Sequence, residues 1–208
     1  MREQQIKIEP FSFIELNKVT IEKAVNEHTV AGIYGIVDGE KLEDIRQLLL
    51  SDRIRVTIDA ATEGEEKIRL FCGMVKNYEI EHKNSVNYLT LHLIDECYLM
   101  DLEPHTRVFQ QNDKTYEDIF RIITEGYPSS GIITGAETEK KAPELFVQYH
   151  ETDWEFAKRL AARCNSCLVP DTLTKGTRYF ARLPERERII LPEQTEYTIK
   201  KGDNTSIT

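Results

Sequence analysis

Two cysteines separated by two residues, Cys164 and Cys167, are the first candidates for chemistry in this chain of 208 residues. A redox CxxC pair needs its first thiolate at a helix N-terminus, where the helix dipole lowers the thiol pKa. Here the pair follows a predicted helix and lies at the opposite pole. A structural zinc site needs a second ligand pair, but the remaining cysteines, Cys72 and Cys97, fall in predicted strands. We therefore predict reduced cysteines that pack as small hydrophobic side chains, with no metal site.

The pair His150-Glu151 resembles the start of the metalloprotease motif HExxH. The fifth position of the motif is occupied by Trp154, and the predicted helix begins after the pair instead of containing it. The sequence also contains no glycine-rich phosphate loop and no GxSxG nucleophile motif. We therefore predict an absence of catalytic and cofactor-binding residues, and a core-packing role for Trp154.

A group of acidic residues lies near a histidine between residues 95 and 105. Asp95, Glu96 and Asp101 precede His105, and paired carboxylates can carry out acid–base chemistry. These residues occur where a predicted strand runs into a linker, in a chain that is rich in acidic residues. The interpretation favoured by the sequence is that they are solvated loop charges.

The composition excludes several functional classes. The formal net charge is -9, which argues against a protein that grips phosphate backbones, because such binding relies on clustered Lys and Arg. No apolar run approaches the roughly 20 residues of a membrane span. The N-terminal sequence shows no apolar core of a secretory signal. These features predict a cytoplasmically made protein without a membrane partner or sequence-specific nucleic-acid binding.

The hydrophobic pattern predicts an α+β protein in two parts. Residues 1–103 are predicted to form an antiparallel β-barrel domain, because several alternating strands at short spacing close naturally into a barrel. Residues 104–208 are predicted to form a helix-containing α/β segment that leads into further short strands, a partial second β domain. The predicted strands are 6–9, 11–16, 30–37, 53–60, 68–80, 86–94, 146–149, 167–169, 178–183, 189–191 and 197–200, with a hairpin loop at 81–85 and a kink or bulge at Gly73.

Three helices are predicted, at about 42–50, 115–125 and 153–165. In the second, Thr115 and Asp118 have the spacing of a helix cap, and Thr152 and Glu155 form a capping box at the start of the third. The loop at 127–142 is predicted to be disordered or to contact a partner. The predicted buried positions are Tyr116, Ile119, Phe120, Ile122 and Ile123 in the second helix and Trp154, Ala157, Leu160, Ala161 and Cys164 in the third.

The segment around the third helix carries a resemblance to a known family. It has the form VQY-x-E-T-D-x-x-F-x-x-R-L and resembles the phage late-control or baseplate-hub proteins and the VgrG-type spike proteins of contractile injection systems. An F-x-G-x-V run and a T-R-x-F-Q run extend the similarity over roughly residues 67–182. The matching residues are Phe71, Gly73, Val75, Thr106, Arg107, Phe109, Gln110, Val147, Gln148, Tyr149, Glu151, Thr152, Asp153, Phe156, Arg159 and Leu160.

The resemblance implies a structural role and no enzymatic activity. Hubs of this family are trimeric rings of tube-like barrels that adapt a sixfold tail tube to a threefold central spike, so the implied partners are copies of the chain, tail tube proteins and spike proteins. Full-length members of this family continue into a second barrel, and the VgrG type continues further into a β spike. Too few residues follow Asp171 for both, which indicates either a truncated or split hub or a role that needs another chain. The setting could be a phage, a tailocin or a secretion system.

Two alternatives to the hub remain open from the sequence. The first is a small β-barrel binding module that recognises a protein or a glycan without tail assembly. The second is a metal- or thiol-dependent enzyme that uses the CxxC pair.

Overall fold

The computed structural model describes residues 4–62, 67–110, 114–143 and 145–184. Its architecture is the predicted α+β class, an antiparallel sheet followed by helices and short strands. The helices are α1 (Leu42–Leu49), α2 (Tyr116–Thr124) and α3 (Asp153–Arg163). The strands are β1 (Gln4–Glu9), β2 (Glu15–Glu22), β3 (Val30–Val37), β4 (Arg55–Thr62), β5 (Ile68–Lys83), β6 (Val86–Ile94), β7 (Pro104–Gln110), β8 (Gly131–Ile133), β9 (Leu145–Thr152), β10 (Val169–Pro170) and β11 (Arg178–Phe180).

The first six strands form one antiparallel sheet in the order β1-β4-β5-β6-β3-β2. The two edge strands, β1 and β2, are consecutive in the chain, and the link from Glu9 to Glu15 spans at most about 20 Å. The sheet must therefore curl so that its edges approach each other at one end. The result is an open half-barrel whose edges do not pair with each other.

The concave face of the half-barrel encloses the first hydrophobic core. Alternation places Ile54, Val56 and Ile58 inward, as predicted, and all three are buried. Helix α1 covers this face with Ile45 and Leu49, which belong to the same cluster. The predicted helix at 42–50 is thus confirmed.

Three details of the sheet differ from the sequence prediction. The alternation at 11–16 is not a strand, and the strand there begins at Glu15 and continues to Glu22. The predicted five-residue hairpin loop is a two-residue turn, in which Asn84 and Ser85 both have positive φ. Such a turn matches the right-handed twist of the flanking strands, so pairing continues to Lys83.

The predicted irregularity at Gly73 also lies elsewhere. The register of β5 shifts at Leu70 and at Lys76, on either side of Gly73. A Cβ at Gly73 would lie 2.4 Å from the carbonyl oxygen of Ile94. Glycine is required there because two backbones approach closely, and the bulges are separate features.

The second part of the chain packs around α2 and α3. The two-stranded sheet β7·β9 and the mixed sheet β10-β11-β8 flank the helices. The second core cluster contains the predicted helix residues, except that Ile122 is 41% exposed and the prediction of its burial was wrong. Its buried members include Tyr116, Ile119, Phe120, Ile123, Trp154, Phe156, Ala157, Leu160, Ala161 and Cys164.

The segment 127–142 is ordered, which corrects the prediction of disorder for it. It contains β8 and a 3-10 helix at Ala136–Glu139, and Thr138 is fully buried. Strand β8 pairs in parallel with β11. The predicted strand at 178–183 is shorter than expected, and those at 189–191 and 197–200 lie outside the described residues.

Both capping predictions are confirmed. Thr115 with Asp118 and Thr152 with Glu155 form reciprocal capping boxes at α2 and α3. At the other end of α3, Asn165 has a φ of 53°. The Asn165 and Ser166 amides bond back to Ala162 and Ala161, the hydrogen bonds of a Schellman motif. No helix in the described ranges is long and apolar enough to cross a membrane.

Candidate functional site

A buried carboxylate lies at the junction of β7, β9 and α3. Asp153 is the first residue of α3, and it is completely buried. Its carboxylate forms an ion pair with the guanidinium of Arg107 on β7, with Nη2 3.2 Å from Oδ2. Gln148 Nε2 donates to Oδ1 at 2.7 Å, and Tyr127 donates its hydroxyl to Oδ2 at 2.8 Å. A buried charge is tolerated when its oxygens are paired in this way.

The residues around Asp153 are themselves held in place. Gln148 is also fully buried, and its side chain accepts from Arg107 at 3.0 Å and donates to the Glu151 carbonyl at 3.1 Å. Burial, and then the bond to Asp153, raise the pKa of Tyr127, so its hydroxyl stays protonated as a donor. His105 lies 3.6 Å from the Asp153 carboxylate. The network therefore fixes the start of α3 against both strands of the small sheet.

Arg159 joins the same strand to the middle of α3. Its guanidinium pairs with Glu151 and donates to the Val147 carbonyl at 2.6 Å. It also lies over the rings of Phe146 and Phe156, 5.1 and 4.9 Å from their centroids. These are cation–π distances. The motif residues Glu151, Phe156 and Arg159 thus serve the packing of β9 on α3.

The acidic residues at 95 and 96 are buried, so the prediction of solvated loop charges for them was wrong. Asp95 accepts hydrogen bonds from the Thr29 and Cys97 amides, the latter at 2.8 Å. Glu96 is held by Arg55 through Nε at 2.6 Å and Nη2 at 2.8 Å, and by the Gly176 amide at 3.2 Å. The short helix that follows β6 carries these carboxylates beneath the sheet instead of into solvent.

Burial and hydrogen bonding act in opposite directions on Glu96. Burial alone would raise the pKa of Glu96, but the hydrogen bonds from Arg55 and from the Gly176 amide outweigh it. The pKa is therefore lower than the ordinary value. A carboxylate held ionised by a fixed guanidinium is a structural anchor and a poor proton carrier.

His28 connects the half-barrel to α3. Its ring stacks on Trp154 at a centroid distance of 4.7 Å and meets Tyr98 edge-on at 5.6 Å. Its two ring nitrogens lie 3.5 Å from carboxylate oxygens of Asp95 and Asp101. No local sequence pattern indicates this contact, because His28 and Trp154 are far apart in the chain. The predicted core role of Trp154 is confirmed.

The predicted burial of the cysteines is confirmed for Cys72, Cys97 and Cys164, whereas Cys167 is partly exposed. Burial raises the pKa of all four thiols. Cys164 Sγ donates to the Leu160 carbonyl at the end of α3. Thiols in this state are poor nucleophiles and poor metal ligands. Within the described ranges, no three Cys, His, Asp or Glu residues are grouped as a metal site.

The outward side of the small sheet is mainly apolar, and its strand β7 also presents Thr106 and Gln110 there. Val108 on β7 pairs with Val147 on β9, and Leu145 and Tyr149 lie on the same side. Tyr149 is 78% exposed, Val108 60% and Leu145 58%. We call these four residues the β7·β9 face. The packing of the described part of the chain does not use it, although Val147 and Tyr149 are part of the motif.

Together, the fold and the buried network define a structural protein. The buried carboxylates of Asp153 and Glu96 are held in ion pairs, burial raises the thiol pKa values, and an apolar face remains for other molecules. A family model for the phage tail baseplate hub (GPD) matches residues 40–165. The chain therefore belongs to the phage tail baseplate hub family, which is a structural family and not an enzyme family. No curated protein sequence matches it.

Solved structures share the fold at low sequence identity. The first is the E. coli c3393 protein, which is described as a component of the type VI secretion system with structural similarity to the T4 bacteriophage tail proteins gp27 and gp5. Its TM-score is 0.63 at 13% sequence identity, and the match covers 91% of this chain and 53% of the c3393 chain. The second is the prophage MuSo2 43 kDa tail protein from Shewanella oneidensis. Its TM-score is 0.59 at 15% sequence identity, and the match covers 86% of this chain and 53% of the tail protein.

A third structure of the same fold is the Francisella PdpA-VgrG complex. It gives a TM-score of 0.52 at 13% identity, over 88% of this chain and 32% of that one. The chain thus spans about half the length of the first two structures and a third of the last. The recognised resemblance to baseplate hubs and VgrG-type proteins is confirmed, and the chain is a hub or tail protein of the kind found in phage and related contractile systems.

Proposed function

We propose that this chain assembles with copies of itself into a homotrimeric ring in a tail baseplate and adapts the sixfold tail tube to the threefold central spike. The observation that carries the proposal is the β7·β9 face. Exposed apolar side chains on one side of a sheet are typical of protein interfaces. A second copy of the chain is the occupant that the implied ring requires.

The edges of the half-barrel support the same proposal. Strands β1 and β2 are the two ends of the six-stranded sheet and do not pair with each other. Unpaired edges attract further strands unless they are protected. A head-to-tail contact between unlike surfaces closes into a ring when the rotation is suitable. Sheet edges and the β7·β9 face together offer such surfaces.

The two-part organisation also remains a proposal. We place the boundary near Glu103-Pro104, with a tube-like barrel before it and the helical segment after it. Two large core clusters support a division in this region. One contains residues from Ile8 to Leu93, and the other runs to Ala181 but already begins at Cys97, a few residues before the proposed boundary. A small third cluster contains Met74, Ile94 and Leu99.

The proposal is tested by sedimentation velocity on the full chain and on Val108→Glu/Tyr149→Glu. The wild type is expected to sediment as a trimer over a range of concentrations. The double variant should be a monomer with an unchanged circular dichroism spectrum, because both side chains are exposed in the single chain. Leu173→Glu is the matched control, since Leu173 is an exposed leucine in the loop between β10 and β11 and does not belong to this face.

Two outcomes of that experiment contradict the proposal. One is a wild-type chain that stays monomeric at every concentration and in the presence of tail tube protein. The other is a trimer that survives the double variant unchanged. The first result would favour the alternative function, a small β-barrel module that binds a protein or glycan without assembling.

A further inference from the structure

A hollow of about 610 Å³ lies on the outer side of the half-barrel, and none of the four residues of the β7·β9 face lines it. Its floor is a row across four strands, in which Thr20, Gly32, His92 and Asn77 are successive neighbours. Gly32 has no side chain, and a Cβ there would lie 2.9 Å from Thr20 Oγ1. The missing side chain leaves open a space within the size range of small-ligand sites.

Three basic side chains line this hollow: Lys18, Lys76 and His92. Lys76 is the extra residue of the β5 bulge, and its ammonium lies 5.0 Å from the centroid of the Tyr98 ring. Among the described residues, Lys18 and Lys76 form no salt bridge. Of the described residues that line the hollow, Glu22 alone carries a carboxylate. In a chain with a net charge of -9, this is a local excess of positive charge.

Apolar groups complete the walls. Val30 and Tyr34 flank Gly32 along β3, and both line the hollow. Tyr34 is held by stacking on Tyr88, with parallel rings 5.7 Å apart. The hollow therefore offers cations for carboxylates and a fixed aromatic and aliphatic surface for apolar side chains.

We propose that this hollow binds an acidic, extended peptide segment of a partner protein. The argument is charge complementarity, since two lysines that form no salt bridge among the described residues lie beside apolar walls, and this combination fits a strand in which carboxylates alternate with aliphatic side chains. A nucleic acid fits less well, because phosphate-backbone binding needs a track of many cations, whereas the hollow has two lysines and the chain as a whole is acidic. The site does not depend on the proposed ring.

The first test uses fluorescence anisotropy with two labelled peptides on the full chain. One alternates glutamate and valine, and the other alternates lysine and valine. The glutamate peptide is expected to bind at least about tenfold more tightly, with an affinity that falls as salt is added. Equal binding of the two peptides, or no binding of the glutamate peptide, would overturn the proposal. So would tighter binding of an oligothymidylate that displaces the peptide.

Charge-reversal variants locate the site. Lys18→Glu/Lys76→Glu should weaken binding of the glutamate peptide by about tenfold or more, without changing the circular dichroism spectrum. Lys41→Glu is the matched control, because Lys41 is an exposed lysine beside α1, which covers the opposite face of the sheet. Unchanged binding by the double variant would show that the peptide binds elsewhere.

A space-filling variant provides an independent check. Gly32→Val should abolish binding by filling the floor, while the lysines remain in place. If this variant does not fold, Thr20→Leu adds volume to the same floor from the neighbouring strand and should reduce binding. Sedimentation of the charge-reversal variant distinguishes this proposal from the proposal of a ring. If the variant still forms a trimer but no longer binds the peptide, the substitutions have affected the hollow and not the ring.

Discussion

Asp153 shows how a charged residue in a recognisable motif can be structural. Its carboxylate is fully buried and is satisfied by Arg107, Gln148 and Tyr127. Asp153 and its ion-pair partner Arg107 both belong to segments that resemble the hub family. Their contact could not be predicted, because the two residues lie on separate elements that are far apart in the sequence. The third partner, Tyr127, is not part of any motif. It can donate its hydroxyl to Asp153 because the loop that follows α2 passes close to the start of α3.

Replacing this carboxylate tests the network. Asp153→Asn should lower the free energy of unfolding by about 3 kcal/mol, because it leaves Arg107 without its counter-charge in a mostly buried site. Urea denaturation monitored by circular dichroism measures the loss. Glu43→Gln is the control, since it breaks an exposed helical pair with Arg46 and should cost less than about 0.5 kcal/mol. Equal small losses in both variants would contradict a stabilising role for the buried pair.

Glu96 predicts a pH dependence of stability. Its folded-state pKa is lower than the ordinary value of 4.5, because the Arg55 and Gly176 hydrogen bonds outweigh burial. The ionised form therefore stabilises the fold above that value, and the contribution is lost as the pH falls through the folded-state pKa. Thermal unfolding from neutral to acidic pH should show a steeper loss for the wild type than for Glu96→Gln. Parallel curves would show that Glu96 does not contribute.

At the level of elements, features that depend on residues close together in the sequence were predicted better than features that depend on tertiary contacts. The capping boxes of α2 and α3 were predictable because each depends on residues three positions apart. Most strands of the half-barrel were predictable from the alternation of apolar and polar residues. The burial of Asp95 and the stacking of His28 on Trp154 were not predictable, since both depend on how the segment after β6 folds under the sheet. The two-residue hairpin at Asn84 and Ser85 was missed because neither residue is glycine.

The cap of α3 predicts a measurable contribution to stability. Thr152→Ala removes the side-chain acceptor of the Glu155 amide and should cost about 1 kcal/mol. Thr152→Ser keeps the hydroxyl and should cost much less. Both values come from denaturant midpoints at unchanged slope. If the two variants lose the same stability, the threonine methyl group matters and the cap does not.

At the level of the whole molecule, the chain combines an acidic composition with surfaces that suit assembly. The half-barrel has two free edges, the β7·β9 face is apolar, and the two cores are joined by the His28–Trp154 contact. The charged and thiol groups with catalytic potential are used in packing. Family membership makes this a structural component of a tail baseplate.

The net charge of -9 makes a separate prediction about nucleic acid. The chain should not bind duplex DNA tightly at physiological salt, because like charge repels the phosphate backbone. An electrophoretic mobility shift experiment with random-sequence duplex measures this. A stable shift that persists at physiological salt would mean that the acidic surface does not govern contact with DNA.

The central claim is that this chain acts by fitting against copies of itself and against other tail parts. Electron microscopy of the chain purified together with the tail tube and spike proteins of its own particle tests it most directly. We predict threefold rings of the chain between tube and spike. Tube and spike that join without it, while the chain remains a separate monomer, would contradict the account.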